Sequence, residues 1–165
     1  MVRMGELSVS KTPGHVLSSI GLGSCIGLAL VETSRPLAGL AHIVLPESNA
    51  GSDAIGKFAD RAVPALLEQM VSIGARRTSL QVVIVGGAQM FTLGSASTLD
   101  IGRRNEQAVR EALTQAGLSV HAAATGGSKG RTVRVHVSTG LVTVREPGTP
   151  DMELFSGAMA VGSTR

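Results

Sequence analysis

Aromatic residues are almost missing from this 165-residue chain, which has three Phe and neither Tyr nor Trp. Its core must therefore rest on Val, Leu, Ile, Ala and Met, and nucleic-acid bases would find few rings to stack on. A single cysteine, Cys25, excludes an intrachain disulfide and a cysteine-rich metal site. It fits a reducing compartment. No apolar run approaches the ~18 residues of a membrane span. Met1 to Ser10 carries no apolar stretch of signal-peptide length. A cytoplasmic protein is expected. Charge of neither sign dominates, since 15 Lys and Arg face 12 Asp and Glu for a net +3. The arginines are scattered as Arg76-Arg77, Arg103-Arg104, Arg131 and Arg134. That argues against a nucleic-acid stripe and leaves contact with an acidic protein surface open. The 21 glycines follow no repeat, so neither collagen nor a low-complexity linker fits.

A chain of this length fits one domain with one core. Apolar runs predict strands over His15 to Ile20, Cys25 to Val31, Leu37 to Leu45, Leu80 to Val85, Leu118 to Ala124, Arg131 to Val137 and Leu141 to Arg145. The second and third are apolar on both faces, which places them inside a layered domain. Helical spacing of Ala59, Val63, Leu66, Met70 and Ile73 predicts a helix over Lys57 to Ile73, stopped by Gly74. A second helix is predicted from Ile101 or Gly102 to Gly117, with Val109, Ala112, Leu113 and Ala116 on its apolar stripe. The fold class is α/β, of α+β type: a layered sandwich with mixed, mostly antiparallel strands and two main helices. The domain is expected to span 1–146. Residues 147–165, rich in Gly, Pro, Ser and Ala, are expected to form a flexible tail.

Cys25 lies in Gly21-Leu22-Gly23-Ser24-Cys25-Ile26-Gly27, and His42 follows seventeen positions later. A glycine-rich, unhindered backbone before a thiol, with an imidazole on the next strand, is the raw material of a cysteine nucleophile. If Thr33 to Pro36 closes a hairpin, Glu32 faces Leu37 and Cys25 faces Val44. His42 then shares a sheet face with Cys25, diagonally, with Cα atoms about 7–8 Å apart. A slip of one residue would separate them. A free thiol has a pKa near ~8.5, so a base is needed to activate it. Backbone N–H groups of Gly23, Ser24 and Cys25 are candidates for stabilising an oxyanion. Ser19 offers a hydroxyl that could orient His42. The alternative is a buried structural cysteine.

Other motifs lead elsewhere. Gly51 to Lys57 has the spacing of a phosphate-binding loop, but Phe58 follows where Ser or Thr should hold magnesium. Gly21-x-Gly23-x-x-x-Gly27 misses the dinucleotide fingerprint by one residue and precedes a strand. His15, His121 and His136 lack comparable context, and the last two read as strand residues. Gly86-Gly87 and Gly126-Gly127 read as tight turns or as walls of a cleft. Arg104 and Asn105 stand at a helix start, where capping or core anchoring competes with substrate contact.

Taken together, Gly21 to Cys25 and Gly39-Leu40-Ala41-His42-Ile43-Val44-Leu45-Pro46 resemble the CheD family of chemoreceptor glutamine deamidases. Lys57-Phe58-Ala59-Asp60, Gly86 to Phe91, Ile101-Gly102-Arg103-Arg104-Asn105, and Thr125-Gly126-Gly127 with Gly130-Arg131 follow in the family's order. The resemblance implies hydrolysis of glutamine side chains to glutamate in methyl-accepting chemotaxis receptors, which serves adaptation. It implies Cys25 as nucleophile, His42 as base and acid, and Ser19 where the family carries threonine. It implies no cofactor and no metal. A monomeric sandwich similar to the catalytic domains of deamidating toxins is also implied. The implied partners are receptor cytoplasmic domains and a CheC-type phosphatase, with no nucleic acid and no membrane insertion. A regulatory module acting on that phosphatase is the alternative function.

Overall fold

The structure, a computed structural model, describes residues 1–48, 54–90 and 100–157. Within them the chain forms nine strands and two α-helices. The first sheet has five strands in the order β1 (Leu7–Ser10), β4 (Ala38–Ile43), β3 (Ile26–Glu32), β5 (Leu80–Gly86), β6 (Val120–Thr125). The second has four, in the order β2 (Val16–Leu22), β7 (Arg131–His136), β8 (Leu141–Arg145), β9 (Met152–Phe155). All pairings are antiparallel except β5 with β6. That exception follows from α2 (Ile101–Gln115), which lies between those two strands in the chain. A crossover of this kind returns the chain in the same direction.

Residues of β3 and β4 are buried on both faces because two cores meet there. Ile26, Leu28 and Leu30 point with Ala41 and Ile43 toward α1 (Ala59–Ser72) and α2. Ala29, Val31, Ala38 and Leu40 point the other way, onto Val133, Val135 and Val142 of the second sheet. Strict alternation along each strand produces this division. The first helix contributes Ala62, Val63, Leu66 and Met70, all fully buried, and burial stabilises by about 1.5–3 kcal/mol for each of the larger ones. The layers are helices, five-stranded sheet and four-stranded sheet, which is the sandwich expected from the sequence.

Both predicted helices and all seven predicted strands are present, with ends shifted by up to two residues. Two four-residue strands were not expected. One is β1, which pairs with β4. The other is β9, and it corrects the reading of 147–165 as a tail throughout: Met152, Glu153 and Phe155 pair with β8. Arg134 and Arg145 both form ion pairs with Asp151 just before it. The phosphate-loop spacing begins at 51–53, outside the described residues. Lys57 closes a short 3-10 turn, and Phe58 precedes the first helix.

Candidate active site

The register of β3 with β4 decides whether thiol and imidazole can meet. Glu32 N–H donates to the Leu37 carbonyl at 2.9 Å, which closes the hairpin at Thr33 to Pro36 as expected. Down the ladder Gly27 faces His42 and Ile26 faces Ile43, so Cys25 falls opposite Val44. The Cys25 carbonyl accepts from Gly87 N–H at 2.9 Å and extends the β3–β5 ladder by one residue. Cys25 therefore shares the face of Gly27, toward the second sheet. His42 shares that face and lies diagonally from Cys25. Gly27, between them on this face, carries no side chain. The space a Cβ would take there is filled by Leu22 and Val133.

Cys25 is 9% exposed and belongs to the core between the sheets. Burial pushes its thiol above the usual range. His42 is 4% exposed, and burial lowers its pKa below the ordinary imidazole value. The Val2 carbonyl and the charge of Glu6 oppose that shift without cancelling it. Both shifts favour the neutral forms, thiol and imidazole.

Ser19 is fully buried on β2, on the opposing sheet. Its hydroxyl donates to the Val2 carbonyl at 2.8 Å. Nδ1 of His42 lies 3.2 Å from the same oxygen. A carbonyl only accepts, so Nδ1 carries the proton and Nε2 is left with its lone pair. Ser19 thus meets His42 through a shared acceptor. Val2 is held by its own N–H to the Ser18 carbonyl at 2.7 Å, and Gly5 N–H bonds the His42 carbonyl at 2.8 Å. No side-chain signal marks Val2 in the sequence, because the acting group is backbone.

Gly23 and Ser24 form the turn that delivers Cys25. The carbonyls of three successive residues are tied down: Gly23 to Ala88 N–H at 2.8 Å, Ser24 to the Asn105 side chain at 2.9 Å, Cys25 to Gly87 N–H at 2.9 Å. Among the described residues, no partner meets the N–H of Ser24 or Cys25. Both paired glycines flank this turn. Gly126 N–H bonds the Gly86 carbonyl at 3.0 Å, and Gln89 N–H bonds the Gly127 carbonyl at 2.8 Å. Gly86 has φ +118, and a Cβ there would fall on the Cys25 carbonyl oxygen. Arg131, largely buried, reaches the Gly126 carbonyl at 2.9 Å and ties the glycine turns to the second sheet. A groove of about 480 Å³ lined by Ile20, Gly21, Gly130 and Arg131 contains neither Cys25 nor His42. His121 and His136 are strand residues, as expected.

The class so defined is a two-sheet α/β sandwich with a cysteine and a histidine on one inner face beside a glycine-rich turn. The chain belongs to the CheD family: residues 44–146 match that family, described as CheD chemotactic sensory transduction. A protein of Methanococcus vannielii named "Probable chemoreceptor glutamine deamidase CheD" is 42% identical over 146 residues, covering 88% of this chain and 93% of its own length. A protein of the same name from Clostridium botulinum (strain Hall) is 41% identical over 156 residues, covering 93% of this chain and 96% of its own. The family match begins after His42, but a match over 93% of the chain is too long to begin after Cys25.

Proposed function

We propose that this protein is a chemoreceptor glutamine deamidase that hydrolyses glutamine side chains to glutamate through Cys25 and His42. Family membership and the relatives' names support the reaction. The observation that carries the mechanism is the register that puts Cys25 and His42 diagonally on one face. A binding module alone would have no need of a thiol and an imidazole so arranged.

Nε2 of His42 takes the Cys25 proton as sulfur attacks the glutamine Cδ. The resulting oxyanion is met by backbone N–H groups of the Gly23-Ser24-Cys25 turn. The carbonyl re-forms as the C–N bond breaks, and Nε2 returns its proton to nitrogen, releasing ammonia. Water then attacks the thioester while Nε2 takes its proton. Sulfur leaves, is reprotonated, and glutamate remains. Ser19 and the Val2 carbonyl hold His42 in the tautomer this sequence of steps needs. The scheme draws on side chains and backbone alone.

The substrate is the cytoplasmic part of a methyl-accepting receptor, so the protein works in the cytoplasm. No helix among the described residues is long and apolar enough to cross a membrane. Binding to a CheC-type phosphatase would be a second, separable property, measurable by titrating one protein with the other.

Mass spectrometry of a receptor cytoplasmic fragment incubated with the protein tests the proposal. Conversion of glutamine to glutamate should appear as the mass gain of replacing NH₂ by OH. Cys25→Ala should abolish it without unfolding the protein. Activity surviving in Cys25→Ala rules out the mechanism.

A further inference from the structure

Asn105 is fully buried in the second turn of α2, on the apolar face that also carries Val109 and Leu113. An amide in that position is costly unless its polar atoms are paired. Its Nδ2 donates twice, to the Ser24 and Val44 carbonyls, both at 2.9 Å. Its Oδ1 is buried with no partner among the described residues. Flipping the amide would set that oxygen against two carbonyls, so the orientation is dictated by its surroundings. The molecule thus keeps an orphaned buried acceptor to place one donor between the residue before Cys25 and the residue two beyond His42. Buried polar groups left unpaired are uncommon and need a reason.

Planarity supplies the reason. In a trans peptide the C=O and the following N–H point in opposite directions. Drawing the Ser24 carbonyl onto Asn105 turns the Cys25 N–H the other way. That N–H has no partner among the described residues, although Cys25 is nine-tenths buried. The bond from Ala88 N–H to the Gly23 carbonyl acts on the Ser24 N–H in the same manner.

Building on the deamidase reading above, we propose that Asn105 is a positioning residue: it orients the Ser24–Cys25 peptide so that the Cys25 N–H receives the oxyanion formed from the glutamine carboxamide. Its second bond, to the Val44 carbonyl, anchors the amide beside the end of β4. Asn105 touches neither substrate nor sulfur in this role.

Two reactions of Cys25 separate this role from mere support of the fold. Deamidation passes through an oxyanion, whereas alkylation by iodoacetamide displaces iodide at a saturated carbon and forms none. In Asn105→Ala, kcat for deamidation of a receptor fragment should fall about 100-fold with KM unchanged. The alkylation rate of Cys25 should stay at the wild-type value. Wild-type kcat in the variant, or parallel loss of both reactions, overturns the proposal. A measurement on the wild-type protein stands even where Asn105→Ala does not fold. A peptide in which an aldehyde replaces the side-chain carboxamide of glutamine should add to Cys25 and shift the Cys25 amide proton downfield in the NMR spectrum. An unmoved Cys25 amide overturns the proposal. Absence of deamidation by the wild-type protein removes the deamidase reading and this inference together, while a fully active Asn105→Ala removes this inference alone.

Discussion

Ser19 and His42 belong to different sheets and share one acceptor, the Val2 carbonyl, at 2.8 Å from the hydroxyl and 3.2 Å from Nδ1. The hydroxyl holds the carbonyl, and the carbonyl holds the ring. Removing the hydroxyl loosens the acceptor without removing it. Ser19→Ala should therefore lower kcat only about fivefold, the rate equivalent of about 1 kcal/mol for one hydrogen bond. Ser19→Thr, which keeps the oxygen, should retain activity. Complete inactivity of a folded Ser19→Ala would show that the hydroxyl has a direct part in the chemistry.

Burial raises the Cys25 thiol and lowers the His42 imidazole, which predicts a neutral resting pair. The ultraviolet titration of the Cys25 thiolate should have its midpoint above that of free cysteine, near ~8.5. A midpoint below neutrality would contradict the pairing described. Activity should persist below about pH 6.5, the ordinary imidazole value, and fail as pH drops through the depressed pKa of His42. Stability follows the same group. Between the folded and unfolded pKa values the unfolded chain holds a proton that the folded chain does not. Stability from this source rises with pH across that window and is lost as pH falls below about 6.5. Urea midpoints of His42→Gln should show a flatter slope there than those of the wild type.

Glu32 is a structural counterpart at the far end of the same hairpin. Burial pushes its carboxyl up, but the N–H groups of Arg76 and Ser34, the Ser34 hydroxyl and the Arg76 charge together bring it below the usual range. The three donors lie at 2.9, 3.0 and 2.8 Å. Its stabilisation is complete above the unfolded carboxylate pKa and is lost as pH falls through the lower folded value. Glu32→Ala should cost about 2–3 kcal/mol by leaving these donors unpaired. Chemical denaturation measures it, and a change under about 0.5 kcal/mol, the scale of an ordinary surface substitution, would refute it.

Gly86 abuts the Cys25 carbonyl. Gly86→Ala would put a methyl group on the Cys25 oxygen and hold a side chain at φ +118. The backbone must then move, breaking the bond from Gly87 N–H to Cys25. A loss of about 3 kcal/mol is expected. The surviving folded fraction should deamidate poorly because the turn before Cys25 has shifted. Thermal melts and the mass-spectrometric assay together check both halves.

Much of this arrangement was legible in the residues. Apolar runs with no polar face, as in Ile26 to Val31, mark strands between two cores, and the Thr33 to Pro36 turn sets their register to the residue. That register alone brings Cys25 and His42 to one face. The edges were not legible. Leu7–Ser10 and Met152–Phe155 are too short to carry a period and become strands because a neighbouring edge offers unpaired backbone groups. The pairing of β2 with β7 joins segments more than a hundred positions apart, and no local pattern encodes it. Asn105 left a trace as a polar residue on the apolar stripe of its helix, though its partners did not. Val2 left none, since any residue except one lacking an ordered backbone could supply that carbonyl.

The bond from Val2 to His42 bears on how the protein is handled. An affinity handle fused ahead of Met1 would hang from the residue next to the anchor of the His42 ring. Preparations tagged at the amino end should differ in turnover from those tagged at the carboxyl end, even where both melt at the same temperature.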